Sequence, residues 1–189
     1  MQTMRKTGTK IFSWVLLFLL LVGLLTGCGT NDQENSADGQ SVLRYGSGDY
    51  TAINPALYEH GEINALLFAG LTAHNEKNEV VPGLAEDWSF DEKTCTYTFS
   101  LRDGLTFHDG EALTSADVKF TLEAILDEQN GSEIVSNYTD IAEIRCPDAL
   151  TVEIRLTQPN AAFPDYMTIG ILPEHILAGK DQIGRASCR

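Results

Sequence analysis

The chain has 189 residues, 43% hydrophobic and 8% aromatic, with 13 Lys+Arg against 27 Asp+Glu and a formal charge of −14. A chain this acidic does not seek nucleic acid, whose phosphates demand Lys and Arg. An anionic membrane surface repels it too, so any hold on a membrane must come from apolar or lipid contacts.

Arg5, Lys6 and Lys10 precede an apolar run from Ile11 to Leu25, broken only by Ser13 and Gly23. As a helix, about fifteen residues span ~22 Å, short of the ~30 Å hydrocarbon core. A basic start, a short apolar run and small residues at its end predict a secretory signal over 1–27. Leu25-Thr26-Gly27-Cys28 resembles a bacterial lipobox. That resemblance implies cleavage between Gly27 and Cys28, with acylation of Cys28 on the outer face of the cytoplasmic membrane. Two or more acyl chains hold a protein stably, whereas one does so only marginally. The competing expectation is an uncleaved membrane anchor with an incidental cysteine. Loss of Arg5, Lys6 and Lys10 with the signal takes the formal charge from −14 to −17. Residues 28–41 contain no large apolar side chain after Cys28 and read as a flexible tether.

The folded part is expected from Val42. A short strand in SVLRYGSGD runs into a glycine-rich loop. Apolar Ile63, Leu66, Leu67 and Leu71 predict a helix over 62–71, with Gly70 near its end. HNEKNE reads as a polar turn. TCTYTFSL, 94–101, alternates strictly and predicts a half-buried strand with Cys95, Tyr97, Phe99 and Leu101 inward. Asp103-Gly104 and Asp109-Gly110 are turns around a short Leu105–His108 strand. Thr114 and Asp117 form a capping-box variant that opens a helix. Val118, Leu122 and Ile125 are its buried stripe, and Lys119 and Glu123 face water. IAEIRCPDALTVEIRL predicts a hairpin turning at Pro147-Asp148, with Ile144 and Cys146 on one face and Val152, Ile154 and Leu156 on another. Residues 158–164 read as loop, and ILPEHIL as a helix start with Pro173 in its first turn. Strands and helices mix without a β-α-β rhythm, so the class is α/β, of the mixed α+β kind.

Chemistry-bearing motifs do not stand out. His60, His74, His108 and His175 form no metal-ligand spacing, and each reads as a surface or hydrogen-bonded histidine. Cys95 and Cys146 read as free thiols rather than a disulfide, although an oxidising compartment would let them pair. There is no nucleophile-elbow, phosphate-loop or dinucleotide fingerprint. No metal, cofactor or catalytic residue is therefore expected, and binding is favoured over catalysis.

Three stretches, AGLTAHNEKNEVVPGLAEDWSF, YTFSLRDGLTFHDGEALTSADVKFTLE and ILPEHIL, resemble the family-5 solute-binding proteins of peptide and nickel ABC importers. The resemblance covers about residues 42–182. It implies a type II periplasmic-binding-protein-like fold, here an incomplete first lobe, because members of the family are far longer and close two lobes on a ligand. It further implies a monomeric, lipid-anchored receptor that captures peptides for ABC permease subunits. A nickel or metallophore receptor of the same family is the runner-up, and a surface lipoprotein hydrolase or an adhesion module is a more distant alternative. Within SGDYTAINPALY the resemblance points to Tyr58, and secondarily Tyr50, as ligand contacts; both could equally pack. Residues 183–189, IGRASCR, match one frame of a common sequencing adapter and are expected to be a non-native tail containing Cys188.

Overall fold

The structure, a computed structural model, describes residues 53–58 and 61–179. The expectations at Gly27, Cys28 and Tyr50, the tether, the first short strand and the tail lie outside those residues. In chain order come helix α1 (Gly61–Leu67), the hairpin β1 (Thr72–His74) and β2 (Val80–Pro82), then β3 (Ala85–Asp91) and β4 (Thr96–Leu101). Helix α2 (Ser115–Leu126) and two single 3-10 turns lead to β5 (Ile141–Asp148) and β6 (Thr151–Leu156). Two short helices, α3 (Phe163–Tyr166) and α4 (Glu174–Leu177), end the described chain.

The main sheet has the order β3-β4-β6-β5, and every described strand pair is antiparallel. Alternation builds its inner face. Tyr97, Phe99 and Leu101 of β4 are buried, as are Val152, Ile154 and Leu156 of β6. Register places Phe99 opposite Val152 and Tyr97 opposite Ile154. Val118, Leu122 and Ile125 of α2 join the same core, each almost wholly buried. Each such side chain adds roughly 1.5–3 kcal/mol by leaving water. On the solvent side, Lys119 and Glu123 meet at 3.7 Å, an exposed i, i+4 pair.

Asp117 does more than open a helix. Its Oδ2 accepts from the Thr114 N–H at 2.8 Å and from the Thr114 hydroxyl at 3.1 Å. Its Oδ1 accepts from the Glu174 N–H at 3.0 Å, at the start of α4. One buried carboxylate thus serves two helix starts, where orphan N–H groups attract an acceptor. Four residues on, the Thr121 hydroxyl accepts from the Leu172 N–H at 2.9 Å and donates to the Asp117 carbonyl at 2.7 Å.

Several local expectations are corrected. Helix α1 stops at Leu67, and Leu66 and Leu67 are 55% and 37% exposed rather than buried. Beyond it the chain is extended, and the carbonyls of Ala69 and Gly70 accept instead from the Ile171 and Leu84 N–H groups. Cys95 is not an inward strand residue. It sits in the β3–β4 turn at φ +53, after Asp91 has gathered the Lys93 N–H and the Thr94 hydroxyl. Leu105–His108 forms no strand, only a bridge of Thr106 to Ala112. The β5–β6 turn falls at Ala149-Leu150, after Pro147 is absorbed by a register shift that spares its missing N–H. Ile144 pairs directly with Ile154, so both share one face. Phe163 starts a helix inside the expected loop, and Pro173 caps α4 from outside.

Exchanging Asp117→Asn turns one of the two acceptor oxygens into a donor facing N–H groups. Equilibrium denaturation should show a loss of about 1.5–3 kcal/mol, and hydrogen exchange should accelerate at the Glu174 amide. Unchanged stability would show that the carboxylate is not the shared cap.

Candidate functional site

Two backbone segments, 69–72 and 167–171, run against each other more closely than side chains would allow. A Cβ on Gly70 would lie 2.5 Å from the Thr168 carbonyl carbon, and one on Gly170 2.2 Å from the Phe68 Cβ. A Cβ on Gly83 would lie 2.6 Å from the Gly70 carbonyl oxygen. The segments are laced by Thr72 N–H to Met167 O at 3.2 Å, Ile171 N–H to Ala69 O at 3.0 Å, and the Thr72 hydroxyl to Pro164 O at 2.7 Å. These three glycines contribute to a cleft of about 640 Å³.

The turn 54–57 forms one wall. Asn54 holds it through its side chain, whose Oδ1 accepts from the Ala56 N–H at 2.9 Å, and through its carbonyl, which accepts from Leu57 and Tyr58 N–H. The Ser132 hydroxyl and Glu133 N–H clamp that turn from the far side by donating to Ala56 O and Leu57 O. Tyr58 is half-buried and faces the cleft, with Phe68, Tyr138 and Tyr166 as further aromatic lining. The Tyr138 hydroxyl donates to Tyr166 O at 2.6 Å, and burial pushes its pKa above the ordinary tyrosine value. At the rim, His74 Nε2 lies 3.0 Å from Asp165 Oδ1. Asn64, on α1, donates from Nδ2 to Tyr58 O at 3.3 Å, while its Oδ1 is buried without a hydrogen-bond partner.

Aromatic walls and a few fixed polar groups are features common to ligand clefts. Among the described residues no group of three His, Cys, Asp or Glu side chains could hold a metal. Of the two tyrosines singled out from sequence, Tyr58 lines the cleft; Tyr50 lies outside the described residues. Cys95 and Cys146 are both free, at opposite ends of the sheet: Cys95 O bonds Leu156 N–H, whereas Cys146 Sγ contacts Ser115 O. Sequence reasoning missed Asn64, Tyr138 and the His74–Asp165 pair. The pair is separated by 91 positions and leaves no local signal. Asn64 did leave one, as a polar residue next to Ile63 in an apolar helix.

A second, smaller hollow of about 260 Å³ lies between Phe68, Leu84, Phe107 and Ile176. His175 Nε2 closes on Asp109 Oδ2 at 2.8 Å beside it, with its ring 5.5 Å from that of Phe107. The hydrogen bond with Asp109 raises the His175 pKa, and the same bond lowers that of Asp109.

The family described as bacterial extracellular solute-binding proteins, family 5 (middle region), matches residues 79–183. The chain belongs to that family. An ABC transporter peptide-binding protein of Brucella ovis is 36% identical over 113 residues, which cover 59% of this chain and 21% of that relative. Among solved structures, NikZ from Campylobacter jejuni in complex with Ni(L-His) matches at 36% identity and a TM-score of 0.67, over 70% of this chain and 27% of that one. The oligopeptide-binding protein AppA from Bacillus subtilis, in complex with a nonapeptide, matches at 27% identity and a TM-score of 0.66, over 72% and 28%. The chain therefore spans about a fifth of the curated relatives it matches.

Gly70→Ala forces a methyl into backbone. We expect a loss of about 1–3 kcal/mol or more in denaturant unfolding; wild-type stability would mean that the two segments can separate freely. For His175, the raised pKa adds stability below the unfolded value of 6.5 that fades as pH rises through the folded pKa. The lowered Asp109 pKa adds stability above 3.8 that is lost on further acidification. The tie thus operates between those limits. An NMR titration should place the His175 midpoint above 6.5, and Asp109→Asn should return it there.

Proposed function

We propose that the protein is the solute receptor of an ABC importer and that peptides are its cargo. In this reading residues 1–27 are removed, Cys28 carries the lipid that moors the chain outside the cytoplasmic membrane, 28–41 is the tether, and 42–182 forms the first part of a monomeric binding domain. It binds and delivers to permease subunits, with no catalytic step of its own. The observation that carries the reading is an aromatic-walled cleft in a chain whose family relative is named for peptide binding and whose structural match holds a nonapeptide. Backbone-rich surroundings suit a peptide, whose own backbone offers regular hydrogen-bonding groups while roomy walls tolerate varied side chains. Tyr58, on the cleft wall, and Tyr50 before it are the proposed contacts.

A nickel-chelate cargo is the second reading, favoured by the match to the structure that holds Ni(L-His). Calorimetry on the complete gene product, made soluble by starting at Gly29, separates the two. Alanine peptides of two to five residues are expected to bind, with Tyr58→Ala weakening them; nickel–histidine is expected to give no heat. Binding of the nickel complex alone would select the second reading. Hydrolysis of the peptides would overturn the receptor role.

A further inference from the structure

We infer that Asp165, held in place by His74, takes a cationic nitrogen of the cargo at the rim of the cleft. This rests on the peptide-receptor reading above and adds to it a preference for charge. The described lining of the cleft contains one carboxylate, Asp165, and no lysine or arginine. That side chain is 48% exposed, so a solute in the cleft can reach it. Its Oδ1 is engaged by His74 Nε2 at 3.0 Å. A carboxylate only accepts, so Nε2 carries the proton of that bond. Oδ2 makes no hydrogen bond to any described residue.

The carboxylate is set in place before anything binds. The Asp165 N–H donates to Ala162 O at 3.0 Å, and its carbonyl accepts from the Thr168 hydroxyl at 2.9 Å. With His74 on Oδ1, backbone and side chain are both tied, and little freedom is lost on capture. The surroundings suit a cation. A carboxylate without a neighbouring lysine or arginine attracts positive charge and repels another carboxylate. Tyr58, Phe68, Tyr138 and Tyr166 line the same cleft, and the faces of aromatic rings favour cations. A bare metal ion fits less well, because His74 and Asp165 are two donors and no group of three stands among the described residues. In a peptide the cationic nitrogen is the N-terminal ammonium or a basic side chain.

The test pairs a change in the protein with a change in the ligand. Two ligand series are titrated calorimetrically into the complete gene product. In the first, the tightest-binding alanine peptide is compared with its desamino analogue. In the second, lysine is compared with norleucine at each position of that peptide. In the wild type, one cationic ligand is expected to bind about fivefold to tenfold more tightly than its neutral counterpart. That range lies between the worth of an exposed ion pair and that of a charge-assisted hydrogen bond. Asp165→Asn keeps an acceptor for His74 and removes only the charge. In that variant the same two ligands should bind alike, while any other charge preference persists. The series that holds the difference identifies the nitrogen. An equal preference in both proteins, or none in either series, overturns the assignment and leaves the receptor reading intact. Should Asp165→Asn fail to fold, carbodiimide coupling in the wild type decides. The reagent joins a carboxyl carbon to an amine and carries off the carboxylate oxygen as a urea, so mass spectrometry must find the preferred cationic peptide on Asp165. Adducts on other carboxylates alone, or none, overturn the assignment. If no peptide binds the wild type, the receptor reading fails and this inference goes with it.

Discussion

The close approach of the chain at 69–72 to the chain at 167–171 is the constraint from which the site follows. Two backbones can exchange hydrogen bonds at this range only if no side chain stands between them. Gly70 supplies that condition, Gly83 extends it to the start of β3, and Gly170 makes room for the Phe68 side chain. Thr72 then reaches both Met167 and Pro164, and Ile171 reaches Ala69. The contact joins residues almost a hundred positions apart, so it organises everything nearby. It ends α1 at Leu67, sets β1 beside α3, and brings His74 to Asp165. The cleft lies beside this seam, walled by aromatic side chains from four separate segments.

Such a seam needs something behind it, and α2 provides it. The carboxylate of Asp117 and the hydroxyl of Thr121 lie four residues apart, one turn along the same helix face. Between them they hold the N–H groups of Leu172 and Glu174, at the exit of the seam. Buried polar groups of this sort cost desolvation and are tolerated when every partner is met. Here their geometry fixes the register of an otherwise irregular strand against a helix. The main sheet on the other side of α2 is ordinary by comparison: aromatic and β-branched residues alternate, and the core is apolar. Rigidity from the sheet therefore reaches the cleft through two polar side chains.

The same division explains which features were legible in the sequence. Where one element carries its own reason, the reading held. Tyr97, Phe99 and Leu101 alternate on β4, and Val118, Leu122 and Ile125 repeat on α2; each pattern is complete within a few residues. Thr114 and Asp117 announce a helix start for the same reason. Expectations failed where a partner far along the chain decided. Ile63, Leu66, Leu67 and Leu71 have helical spacing, yet the helix ends at Leu67 and the following segment pairs with distant backbone at Ile171 and Leu84. Cys95 continues an alternation that the Asp91 turn cuts short. The site is mostly of this second kind. Tyr58, singled out by family likeness, lies on the cleft wall, whereas His74, Asp165, Tyr138 and Asn64 meet only because the chain folds.

Asn64 sits where both kinds of information cross. Helical spacing places it on α1, and long-range packing places that face of α1 at the cleft. Burying its amide oxygen without a partner costs desolvation. The Nδ2 bond to the Tyr58 carbonyl offsets part of that cost and holds the group in one orientation. Glycines thin the floor of the cleft, aromatic side chains wall it, and Asn64 ties α1 to the turn at Tyr58.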